Sequence, residues 1–194
     1  MIKRLNIYFR EMFPLIPRFF LGMIVFGEIY FITLLNYGVT DFRIGIQELI
    51  GVYTVFAFYM YLRISDDFKD YETDKNLFPD RALPSGKVTK RDLFTACIVV
   101  QIIAVFLNVR YMNNLIFFLL LYGYGFLMSQ WFFQRHKIQS NLLLALITHN
   151  PVQIIINLYI ISFTCIKYIL HPFTYITFLV MWTLYFPSLI WEIS

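Results

Sequence analysis

The sequence predicts an all-α fold, a polytopic transmembrane helix bundle with about six spans, and three observations predict it. Hydrophobic residues fill 59% of the 194 positions and charged residues only 14%, where a soluble domain carries about 25% charged residues. Mean hydropathy is +0.65. Apolar runs of roughly 20 residues, the length a helix needs to cross the hydrocarbon of a bilayer, recur along the chain.

The expected spans cover residues 19–35, 44–62, 93–109, 115–133, 142–163 and 173–191. Lys3, Arg4 and Arg10 precede the first, but it ends at Asn36-Tyr37-Gly38 without a small-residue cleavage site. It reads as a retained span rather than a signal peptide. Thr89-Lys90-Arg91-Asp92 reads as a capping box that opens the third span. Cys97 and Cys165 lie in apolar runs with neither zinc spacing nor a disulfide framework, and read as small buried hydrophobes.

Basic residues orient the bundle. With the N-terminus in the cytoplasm, that side receives Lys3, Arg4, Arg10, Arg63, Lys69, Lys75, Arg81, Lys87, Lys90, Arg91, Arg135 and Lys137. The other side receives Arg43, Arg110 and Lys167, and Arg18 lies in or near the first span. That is a positive-inside distribution. The expectation is a multi-pass protein of the cytoplasmic membrane, its N-terminus and its one long polar loop, residues 63–92, facing the cytoplasm.

The loop carries Asp66-Asp67-Phe68-Lys69-Asp70-Tyr71-Glu72-Thr73-Asp74. If the second span continues as a helix through Asp74, then Asp70, Asp74 and Asp67 fall about 40°, 80° and 100° round from Asp66. Arg63 falls near 60° on the same face, while Glu72 and Lys69 point elsewhere. Like charges at this spacing repel, so the arrangement calls for compensation. Oxygen-only ligands suit a hard divalent cation, and Mg²⁺ commonly bridges a few carboxylates to substrate phosphates. Arg81 is the best placed cation for a bidentate phosphate contact. The same spacing also suits a solvated, mixed-charge helix end that anchors the span, followed by an ordinary turn.

Taken with Arg81-Ala82-Leu83-Pro84-Ser85-Gly86, the block resembles the UbiA superfamily of intramembrane prenyltransferases. That family carries an Asn-Asp-x-x-Asp-x-x-x-Asp run after its second helix, then commonly Arg-Pro-Leu-Pro-x-Gly. Here Asp66 replaces the leading asparagine and Ala82 the first proline. The resemblance implies a nine-helix bundle that transfers a prenyl chain from an isoprenyl diphosphate to an aromatic or other lipophilic acceptor. It implies that Asp67, Asp70 and Asp74 hold Mg²⁺ against the diphosphate with Asp66 assisting. Arg81 and Lys87 would neutralise the diphosphate oxygens, with Arg63 in the same substrate-binding set. The expected partners are the bilayer, the isoprenyl diphosphate and the lipophilic acceptor, with no nucleic acid among them. The 22 Phe and 14 Tyr suit a dry, aromatic-lined cavity.

The chain departs from the family in two respects. A second aspartate-rich motif is expected after the sixth helix, where Trp191-Glu192-Ile193-Ser194 stands with Glu192 as its one acidic residue. The reading is a single domain over 1–194 that lacks the C-terminal third, about six of nine helices. A family tyrosine–lysine pair near the end of the fourth span is met by Tyr122 and Tyr124, with no lysine before Lys137.

Glu28, Glu48, Gln101, His149, Asn150 and Asn157 lie in apolar stretches, where ionisable groups are functional candidates and polar ones also serve as helix–helix glue. His149 and Asn150 before Pro151 would line the acceptor cavity or mark a kink. Among rival classes, CDP-alcohol phosphotransfer pairs Asp-Gly with Ala-Arg and a later Gly-x-x-x-Asp-x-x-x-Asp, and none of these accompanies residues 66–74. The remaining alternative is an inactive truncated family member acting as a membrane binding or assembly subunit.

Overall fold

The computed structural model describes residues 1–171, 174, 175, 177–179, 181, 182 and 185. The sixth expected span lies largely outside these residues and Glu192 wholly so. Among the described residues all regular structure is helical. The elements are α1 (Ile2–Glu11), α2 (Leu15–Asn36), α3 (Ile46–Lys69), α4 (Tyr71–Leu77), α5 (Lys90–Tyr111), α6 (Leu115–Ser129), α7 (Arg135–Gln139), α8 (Leu142–His149) and α9 (Val152–Lys167).

Among the described residues three stretches are long and apolar enough to cross a membrane: α2, α5, and Leu142–Lys167, which α8 and α9 form together. The second and fourth expected spans fall short for different reasons. α3 has 24 residues, but Gln47, Glu48, Tyr53, Tyr59, Tyr61 and Arg63 dilute its apolar character. It can carry them because α2, α5 and α6 pack around it and shield most of its length. α6 has the composition but stops at Ser129 after 15 residues, where the fourth span was expected to run to Phe133. Trp131, Phe132 and Phe133 turn the chain instead, with φ of 51°, 47° and 59°. The fifth expected span is broken after His149, because Pro151 cannot donate to the helical ladder.

α2, α3, α6 and α9 close a ring, with α5 against the outer side of α3 and α1 beside the start of α5. Between α2 and α9, the Phe163 ring packs against Phe26 at 5.7 Å and Tyr30 at 6.2 Å. Gly51 admits the Phe26 ring: a Cβ there would lie 2.2 Å from it. Buried polar side chains join the helices. Asn108 of α5 donates to Thr54 of α3 at 2.8 Å and accepts from Tyr159 of α9 at 2.9 Å. Gln101 donates to the Ala57 carbonyl at 3.0 Å, and Asn157 accepts from Gln153. These are interhelical or local bonds of the kind that hold apolar helices together.

The bundle has two distinct ends. At one, Glu48 pairs with Lys167 and accepts from Tyr30 at 3.1 Å, and Gln47 donates to the Tyr111 carbonyl. At the other lie α1, the end of α3, α4 and the start of α5, held together by polar contacts. Replacing Gly51 by Val would force Phe26 out of its packed position. Overpacking of this kind costs about 1–3 kcal/mol, and the expected result is a lower apparent Tm in detergent with fewer molecules recovered folded.

Candidate functional site

The aspartates occupy the junction of α3 and α4. Asp70 departs from helical geometry (φ −102°, ψ 10°), yet the i→i−4 bonds persist, with Asp70 N–H on Asp66 O at 2.9 Å and Asp74 N–H on Asp70 O at 2.8 Å. The segment read as a loop is therefore helical as far as Leu77. It then turns back through residues 78–89, where Gly86 takes the left-handed φ of 76° that favours glycine.

Each carboxylate has its own surroundings. Asp67 is only 5% exposed; it accepts from the Tyr8 hydroxyl at 2.5 Å and from Arg63 Nη2 at 2.8 Å. Burial pushes its carboxyl above the ordinary value, while Tyr8 and Arg63 oppose that shift and Asp74 and Asp66 add to it. Burial also raises the Tyr8 phenol, next to Asp67, which keeps it a proton donor. Asp74 is buried and takes Arg81 Nη1 on both oxygens at 2.9 Å. The Arg81 guanidinium lies 3.9 Å from the centre of the Phe78 ring. Asp70 makes no side-chain hydrogen bond or ion pair among the described residues, and its carboxyl is raised by burial and by Asp66 and Asp74, against Lys69 and Arg135.

Lys69 was expected to point away from this face. Its flexible stem instead reaches back three residues, placing Nζ 2.8 Å from Asp66 and 4.4 Å from the centre of the Trp131 ring. The long stem overrides the helical angle at which its Cα leaves the backbone.

α1 is the element that sequence reasoning missed. Arg4, Tyr8 and Glu11 recur along one face and make three clasps. Arg4 forks onto Asp92 at 2.7 and 3.0 Å, Tyr8 donates to Asp67, and Glu11 accepts from Lys87 at 3.1 Å. Asp92 is itself held in the expected capping box with Thr89. The neighbouring stripe of Met1, Leu5 and Phe9 lines an apolar cavity of about 570 Å³, with Phe19, Phe56 and Met60 opposite. Met60 and Asp67 are seven residues apart on α3 and share a face, so this cavity lies two turns below the Asp67 carboxylate. The i, i+4, i+7 recurrence of Arg4, Tyr8 and Glu11 was the available signal.

The other expected residues are dispersed. Asn150 is buried, with its Nδ2 lacking a hydrogen-bond partner among the described residues. His149 Nδ1 stays within its own helix end, and its ring meets Trp131 at 5.3 Å. Glu28 is exposed on α2 and forms no pair with Arg18. Lys87 is held by Glu11 and the Asp80 carbonyl.

The donors fit a hard divalent cation in chemistry, being carboxylate oxygens in mutual repulsion. They do not converge as they stand: among the described residues no group of three acidic, His or Cys side chains is poised around one point. Asp70 is the available ligand, and Asp67 and Asp74 would have to exchange Arg63, Tyr8 and Arg81 for the metal. Comparison with protein-family models, with curated proteins and with solved structures found no match.

Removing the Tyr8 hydroxyl leaves a buried charge short of one donor. Hydrogen bonds to charged groups are worth about 1.5–3 kcal/mol. Tyr8→Phe is expected to lower the apparent Tm by roughly 5 °C and to expose α1 to limited proteolysis, whereas Tyr111→Phe, at the far end, should leave both unchanged.

Proposed function

We propose that the chain is a UbiA-type prenyltransferase, a multi-pass bundle of about six spans in the cytoplasmic membrane whose aspartate end faces the cytoplasm. The reaction is Mg²⁺-dependent transfer of a prenyl group from an isoprenyl diphosphate to a lipophilic acceptor. The observation that carries this reading is the contact between its two sequence elements: Arg81 folds back onto Asp74, so the acidic run and the Arg81–Gly86 turn form one structure at one end of an apolar bundle.

The clustering of basic residues at that same end, set against Arg43, Arg110 and Lys167 at the other, supports the orientation. The metal, when bound, would supply Lewis-acid stabilisation of the departing diphosphate. Asp67, Asp70 and Asp74 would hold it, and Arg63 and Arg81 would neutralise the phosphate oxygens. The apolar cavity beneath Asp67 would take the hydrocarbon tail and keep it from water.

The inactive-subunit reading draws on a specific observation too, since Asp67 and Asp74 are already neutralised by the protein's own cations. Purified protein, Mg²⁺ and labelled diphosphates of several chain lengths decide between them. Prenyl transfer that stops on chelation and falls about 100-fold or more in Asp70→Asn is the expected outcome. Transfer indifferent to Asp70→Asn would sink the metal role, and no transfer with any chain length would favour the subunit reading.

A further inference from the structure

The end of the bundle opposite the aspartates holds a small polar cavity of about 160 Å³. Gln47 at the start of α3, Asn113 and Asn114 between α5 and α6, and Phe163, Ile166 and Lys167 at the end of α9 line it. The membrane-length stretches α2, α5 and Leu142–Lys167 all finish at this end. The cavity therefore stands at the depth where a bilayer changes from hydrocarbon to headgroups.

Asn114 is 2% exposed and holds the N-cap position of α6, yet its side chain makes no capping bond. An asparagine there ordinarily accepts from a first-turn N–H. Here Nδ2 donates to the Tyr159 carbonyl at 3.1 Å and to Ser162 Oγ at 3.4 Å. Oδ1 is buried without a hydrogen-bond partner among the described residues. The amide cannot be turned end for end, because its oxygen would then face the Tyr159 carbonyl. Gln47 repeats the pattern: Nε2 donates to the Tyr111 carbonyl at 2.9 Å, and Oε1 accepts nothing among the described residues. Two amide oxygens on one cavity thus lack donors, and a buried acceptor left unpaired is costly.

Charge decides which donor fits. Lys167 Nζ pairs with Glu48 and donates to the Arg43 carbonyl at 2.9 Å, which leaves one of its three protons. Arg110 precedes the Tyr111 carbonyl that holds Gln47, and neither Arg43 nor Arg110 forms an ion pair among the described residues. Three cations stand against Glu48 and the exposed Asp41. An ammonium headgroup would add like charge to that surplus. Hydroxyls donate without adding charge, and a phosphate beside them offsets it.

We infer that this cavity binds the glycerol headgroup of an anionic phospholipid from the leaflet opposite the aspartates. Its hydroxyls donate to Asn114 Oδ1 and Gln47 Oε1, its phosphate takes the remaining Lys167 proton, and Phe163 and Ile166 meet the start of its chains. The site requires that the three stretches cross a bilayer and is independent of prenyl transfer.

The delipidated full chain in detergent is given phosphatidylglycerol, phosphatidic acid, phosphatidylethanolamine or phosphatidylcholine with the same acyl chains, and retained lipid is read by native mass spectrometry. Phosphatidylglycerol should bind about tenfold more tightly than phosphatidic acid, which has the phosphate without the alcohol. Gln47→Met and Asn114→Ala should each remove most of that preference, while Arg135→Gln at the other end keeps it. Should Asn114→Ala impair folding, Gln47→Met, at a half-buried position, carries the test alone. Preference for phosphatidylethanolamine, equal retention of phosphatidylglycerol and phosphatidic acid, or a preference that survives Gln47→Met would overturn the site, whatever the transfer assay gives.

Discussion

A carboxylate withdrawn from water at the rim of an apolar bundle has to find its counter-charge within a few ångströms, and Asp67 is that carboxylate. Its two partners come from different places: Arg63 from one turn earlier in α3, Tyr8 from α1. Because both are needed, the end of α3 and the orientation of α1 are fixed together. α1 in turn roofs the apolar cavity and meets α5 through Arg4 and Asp92. Isolated surface ion pairs contribute little; this one matters because a charge buried without partners is expensive.

The same logic sorts the four aspartates. Asp67 and Asp74 are buried and paired, whereas Asp66 leans on Lys69 and Asp70 makes no side-chain hydrogen bond or ion pair among the described residues. The acidic face is thus a set of positions with different availability to a ligand.

Much of this was legible in the sequence. Composition gave the helical, membrane-compatible character, and the spacing of Asp66, Asp67, Asp70 and Asp74 gave a common helical stretch, since the backbone bonds persist across Asp70. Thr89 and Asp92 form the capping box their spacing requires. What escaped depends on contacts between distant segments. The partnership of Tyr8 with Asp67 spans 59 residues, and no local pattern announces it. α6 ends at Ser129 rather than Phe133 because Trp131 packs over Lys69 while Phe132 packs on Tyr124 and His149. Apolar periodicity alone would have continued the helix.

The three clasps of α1 also bear on the order of assembly. Tyr8, Glu11 and Arg4 find their partners 59, 76 and 88 residues further along the chain. During synthesis α1 therefore exists well before anything can hold it, and its Met1, Leu5 and Phe9 stripe has only the membrane interface to rest on. Docking must follow the folding of α3 and α5. α1, made before its partners, settles late and closes over the cavity it lines.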